Sequence, residues 1–237
     1  MTDLVLRGRL DVPASTSNLG PGFDFLGLAL SLPLVVEFEL HPGPGELVLS
    51  ALEGEAVVWP GGPENLLLRA FARAREAFDA PRLHGELRAR SAIPVARGLG
   101  SSGAAIAAGL ALGAHGARRS ATLAELLRLG LEIEGHPDNV CAALAGGCTL
   151  SVPRPDGGVC LVRQALAPAL GFVLAWPRTP LATARARERS CPHTSRSRTR
   201  SRTRGGSRSC SKGYAAPTPS SWHSAARIAS TCATDCP

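Results

Sequence analysis

Four polar residues crowd into six positions of the chain: Glu134, His136, Asp138 and Asn139, in the stretch EGHPDNV. They form a dense polar knot beside a helix end, followed by the apolar, helix-forming run CAALAGG. A lone histidine is usually structural, but this cluster shares its chain with two other unusual stretches. In SNLGPGFD, Asn18 and Asp24 bracket a Gly-Pro-Gly turn. A polar pair so placed can face a small polar ligand, or simply close an Asx-type turn. In RGLGSSGAAIAAGLALGAHG (residues 97–116), glycines and two adjacent hydroxyls precede an Ala/Leu run with helical spacing. Glycines just before a helix let the backbone turn tightly and leave amide N–H groups facing outward, where they and the helix dipole attract an anion. Phosphate is the natural guest.

Gly98, Gly100 and Gly103 also satisfy GxGxxG, a weak pattern that in a dinucleotide site is followed by a βαβ unit and an acid ending the next strand. Here the stretch about 20 residues on is TLAELLRLGLEIEG, in which Thr122 and Glu125 form a capping box, so that acid caps a helix. No lysine follows the glycines as a Walker loop requires, and the other protein-kinase motifs are missing. What remains, IPVARGLGSSGAA (93–105), resembles the phosphate loop of the GHMP kinases, with Gly103 where that family more often has Ala. VPASTSNLGPGFDFLGLAL (12–30) and EGHPDNVCAALAGGCTL (134–150, with Cys141 at a common Ala position) resemble the two other signatures of the homoserine kinases within that family. The three occur in family order and spacing over roughly residues 9–187.

The resemblance implies transfer of the ATP γ-phosphoryl group to the side-chain hydroxyl of L-homoserine, giving O-phospho-L-homoserine for threonine biosynthesis. By that resemblance Pro94, Arg97, Gly98, Leu99, Gly100, Ser101, Ser102 and Gly103 line the ATP site, and Ser102 with Glu134 holds Mg²⁺, a hard ion that prefers oxygen. Asn18, Asp24, His136 and Asp138 would surround the homoserine hydroxyl and ammonium, with Asn139 close to the reacting hydroxyl. LATARAR (181–187) resembles the family's Thr-x-x-Ala-Arg motif. It makes Thr183 an active-site hydroxyl and Arg187 either a carboxylate clamp, which its planar fork suits, or a surface arginine.

Something must position these residues. Period-2 apolar patterning over 5–14, 32–42 and 45–52 predicts strands separated by Pro/Gly turns. Residues 64–80 read as an amphipathic helix with Leu66, Leu67, Ala70, Phe71 and Ala74 on one face. A strand over 83–94 leads into the glycine loop, with helices following at 101–115 and 122–134. The expected class is α+β: a GHMP kinase amino-terminal domain over 1–150, a mixed sheet with helices on one face. Residues 157–177 restart the β signals and would open a second, incomplete domain within 151–187.

The 237 residues carry a net charge of +7, but residues 1–187 hold 17 arginines and 17 acids, so the excess falls wholly within 188–237. A neutral body, in a chain with a single tyrosine and few phenylalanines, offers neither a basic face nor an aromatic platform for nucleic acid. The tail TSRSRTRSRTRGGSRSCSK (194–212) alone suggests an RNA-binding protein. Leucine is absent from 188–237, and residues 190–198 and 227–236, displaced by two bases with permitted codon choices, can be read as segments that resemble the family's continuation. The tail is therefore expected to be a disordered, frameshifted segment, leaving an unstable or inactive kinase as one alternative and a mevalonate-type kinase as another. The seven cysteines show no paired ligand spacing, and the longest apolar run, 26–36, is too short for a membrane span and contains Pro33. A cytoplasmic protein acting on a small molecule, and capable of forming a homodimer, is the expectation.

Overall fold

The computed structural model describes residues 5–176, apart from 23, 118 and 119. All of them belong to one compact unit, Met1–Pro180. Its frame is a six-stranded sheet: β1 (Leu6–Ser17), β2 (Leu26–Pro42), β3 (Leu47–Gly54), β4 (Leu83–Ser91), β5 (Cys148–Pro153) and β6 (Val159–Gln164). The long β2 organises it, pairing antiparallel with β1 along its length, with β4 over Leu34–Pro42 and with β5 over Leu26–Leu28. Only β3 with β4 is parallel, which makes the sheet mixed as expected.

β2 begins six residues before the expected strand, because Pro33 does not end it. Pro33 lies opposite Pro13, beside the register shift between Pro13 and Ala14, where a missing N–H costs the ladder little. Its carbonyl still accepts from Ala92 N–H at 2.9 Å. β5 and β6 pair antiparallel and carry the same sheet past residue 150.

Four helices complete the layer: α1 (Leu66–Ala77), α2 (Ser101–Gly116), α3 (Leu123–Glu134) and α4 (Asp138–Ala145). α1 starts two residues later than its periodicity suggests because Asn65 caps it. The buried Asn65 Oδ1 accepts from Leu67 N–H at 2.9 Å, while its Nδ2 donates to the Pro60 carbonyl at 2.8 Å. The capping box before α3 forms as read: Thr122 Oγ1 accepts from Glu125 N–H, and Glu125 Oε2 accepts from Thr122 N–H. α2 is apolar on every side and is accordingly the central helix, buried along nearly its whole length.

Two contiguous clusters form the core. Val12, Ala14, Leu28, Leu34, Val36, Leu40 and Leu87 of the sheet meet Leu67, Phe71, Ala104, Ala108 and Leu112 of α1 and α2. Between the helices, Ala70, Ala74, Ile106, Leu110, Leu129 and Val140 close the second cluster. No helix among the described residues is long and apolar enough to cross a membrane.

Candidate active site

The chain leaves β4, crosses residues 92–100 without regular structure and enters α2 at Ser101. Within this crossing Ala96, Gly98 and Gly100 have left-handed φ values of 55°, 75° and 67°. Alternating left-handed residues turn successive amide N–H groups toward one side, the geometry of a backbone anion nest, and here it feeds directly into a helix amino terminus. Gly100 has a further constraint: a Cβ there would overlap Ser15 Oγ and lie 2.8 Å from the Ser15 carbonyl and 3.0 Å from Asn139 Oδ1. The loop is thus pressed against both β1 and α4, and Ser15 N–H donates to the Leu99 carbonyl at 3.2 Å.

Gly135, with φ 88°, terminates α3 in the left-handed conformation, and the chain re-enters a helix at Asp138. That tight reversal gathers the polar knot. Asp138 is 1% exposed at the start of α4, and its Oδ1 accepts from His136 Nδ1 at 3.0 Å and from Asn139 N–H at 2.7 Å. Gly27 permits the approach, since a Cβ on β2 at that point would collide with the Asp138 carbonyl. Glu134, at the end of α3, accepts from Ser102 Oγ at 2.8 Å, joining the first turn of α2 to the knot. Asn139 reaches the other way: its Oδ1 accepts from Ser15 Oγ at 3.0 Å and its Nδ2 donates to Ser17 Oγ at 3.1 Å.

The electrostatics follow from this packing. Burial alone would raise Asp138, but His136, the Asn139 N–H and Ser17 outweigh it and hold the carboxyl below its ordinary value. The hydrogen bond to Asp138 raises His136 against the opposing effect of burial, with the charges of Asp138, Glu134 and Asp24 adding to it. Asp24 is raised by burial first and then by the like charge of Asp138, with His136 opposing. Asp24 and Asn18, both left-handed at φ 61° and 62°, close their turn by a bond from Asp24 N–H to Asn18 Oδ1 at 3.1 Å. The buried Cys141 thiol in α4 is pushed up to about 12, so it is a packing group and no nucleophile.

The sequence-derived residues therefore fall into two adjoining groups. Pro94, Arg97, Gly98, Leu99, Gly100, Ser101, Ser102 and Gly103 form the loop and first turn of α2, and Asn18, Asp24, His136, Asp138 and Asn139 form the polar side, with Glu134 between. Thr183, Arg187 and the whole tail lie outside the described residues. Sequence reasoning missed Ser15 and Ser17, whose one signal was a pair of hydroxyls two positions apart at the end of an apolar strand. Ser102 Oγ and Glu134 Oε1, two hard oxygens 2.8 Å apart beside the glycine loop, are a donor set that fits a magnesium ion.

Residues 65–147 match the profile described as "GHMP kinases N terminal domain". The chain is 43% identical over 188 residues to a homoserine kinase of Thermosynechococcus vestitus, covering 77% of this chain and 60% of that one. With a homoserine kinase of Synechococcus sp. strain CC9605 it shares 42% identity over 182 residues, covering 75% and 57%. It thus spans less than two thirds of the length of these curated relatives. Among solved structures, a putative homoserine kinase from Listeria monocytogenes superposes with a TM-score of 0.55 at 31% identity, covering 73% of this chain and 61% of that one. The homoserine kinase from Cytophaga hutchinsonii gives 0.57 at 25% identity, covering 66% and 51%. A mevalonate kinase from L. major, solved with R-mevalonate, gives 0.53 at 14% identity over 68% of this chain and 53% of that one, a likeness of fold alone.

Proposed function

We propose, from the premise that this chain carries the amino-terminal domain of the GHMP kinases, that it phosphorylates the side-chain hydroxyl of L-homoserine with ATP. The observation that carries this reading is the contact of the glycine loop with the polar knot: Gly100, Ser15 and Asn139 touch, so a phosphate held by the loop adjoins a substrate held by α4. The curated relatives named homoserine kinases give the substrate.

In this reading the amides of Gly98–Ser102 and the amino terminus of α2 hold the triphosphate. Ser102 and Glu134 would hold Mg²⁺, which would supply charge neutralisation to the phosphates. Two acids, Asp24 and Asp138, against one imidazole suit an ammonium group. His136 and Asp138 orient the amino alcohol, while Asn18 shapes the opposite wall through its bond to the Asp24 backbone. Asn139, held by two serines, faces the hydroxyl. That hydroxyl oxygen bonds to the γ phosphorus as the bond to the bridging β–γ oxygen breaks and the hydroxyl proton is released to solvent, leaving ADP, a proton and O-phospho-L-homoserine, a threonine precursor. Such a transfer needs positioning and charge neutralisation more than covalent help, which fits a site of oriented donors.

On the same reading the residues past 187 are a displaced reading frame. The test is ADP release from Mg-ATP with L-homoserine, with mevalonate as control, in the chain as given and with the frame restored. Homoserine-dependent release that falls at least roughly a hundredfold in Ser102→Ala and in Glu134→Gln is expected. Release with mevalonate only, or with neither substrate in the restored form, would refute the reading.

A further inference from the structure

We propose that Ser15 and Ser17 are positioning residues that lock the Asn139 carboxamide in one orientation and tie it to the glycine loop. The inference deepens the reading above, in which Asn139 faces the substrate hydroxyl.

The orientation follows from donor and acceptor chemistry. Ser15 Oγ sits 3.0 Å from Asn139 Oδ1 and 3.3 Å from the Asn139 main-chain carbonyl. Its single proton points at Asn139, between these two acceptors, and the orientation of the carboxamide is decided on its far side. On the far side, Asn139 Nδ2 donates to Ser17 Oγ at 3.1 Å and lies 3.4 Å from Asp138 Oδ1. A flipped carboxamide would set its oxygen against that carboxylate. Ser17 accepts from Asn139 and fixes the amino end of the carboxamide. The bonds therefore run in one direction, from Ser15 through Asn139 to Ser17, beside the Asp138 carboxylate that accepts from His136.

The same strand residue holds the loop. Ser15 is fully buried, its N–H donates to Leu99 O, and its hydroxyl fills the space a Cβ on Gly100 would take. The chain places these serines through β1: two positions apart on a strand, they share a face, and both meet α4 across more than a hundred residues of sequence.

The closing experiment reads geometry and not turnover, so it is decided whether or not the chain phosphorylates homoserine. The chain has only three asparagines, Asn18, Asn65 and Asn139, so labelling asparagine with ¹⁵N gives three side-chain amide pairs, with Asn139 assigned by its loss in Asn139→Asp. Ser15→Ala and Ser17→Ala are each expected to speed hydrogen exchange of the Asn139 pair roughly tenfold, with Asn65 unchanged, and Ser17→Thr to restore it. Unchanged Asn139 exchange in both variants would overturn the proposal, as would equal acceleration of Asn65, which signals general loosening. Ser17 is only partly buried, so Ser17→Ala decides the matter if Ser15→Ala does not fold.

Discussion

Replacing Gly100 by alanine tests whether the glycine loop is welded to its surroundings or merely flexible. Gly100 sits at φ 67°, ψ 29°, where a side chain costs about 1–2 kcal/mol. The new Cβ would also overlap Ser15 Oγ and press on the Ser15 carbonyl at 2.8 Å and Asn139 Oδ1 at 3.0 Å. Ser15 cannot yield, being fully buried in β1, so the loop must lift. Overpacking of this kind costs typically about 1–3 kcal/mol, and lifting also strains the bonds from Ser15 to Leu99 and Asn139. The expected loss is about 3 kcal/mol, large against the ~5–15 kcal/mol of a typical domain yet survivable. In urea, with a slope of about 1–3 kcal/mol per molar, the midpoint should fall by about 1–3 M with the slope unchanged. ATP affinity should fall with it, because the amide nest is displaced. A midpoint shift under about 0.3 M with ATP affinity intact would refute the reasoning, since it would mean that the loop yields without cost.

The charges of the knot predict how stability depends on pH. His136 is raised from 6.5, so its contribution is complete below that value and is lost as pH rises through its folded value. Asp138 is lowered from 3.8, so its contribution is complete above that value and is lost as pH falls through its folded value. Urea titrations from pH 3 to 8 should therefore show the pair's contribution at its largest between about pH 4 and 6.5, and His136→Gln should flatten the alkaline side. Removing the capping box in Thr122→Ala should cost about 1 kcal/mol by chemical denaturation while leaving ligand binding alone. Gly109→Ala, whose Cβ would meet Ala70 Cβ at 2.7 Å and Phe71 N at 2.8 Å, should force α1 from α2 and lower stability by about 1–3 kcal/mol.

Local pattern was enough for much of this molecule. The capping box at Thr122, the apolar stripe of α1, the all-apolar α2 and the glycines ahead of it were legible because each rests on neighbours within a few residues. The polar knot was legible for the same reason, since Gly135 folds Glu134, His136, Asp138 and Asn139 together without distant help. Strand limits were harder: the extension of β2 to Leu26 depends on β1 and β5 being present to pair with it, and Asn65 caps α1 partly by reaching back to Pro60. The assembly of the site belonged wholly to the tertiary structure. Ser15 and Asn139 are 124 residues apart, and Gly27 admits Asp138 from across the sheet. No periodicity encodes such meetings, because they arise only when β1 and β2 pair and the helices close over them. The chain alone named the groups that could do chemistry, and packing alone decided which of them touch.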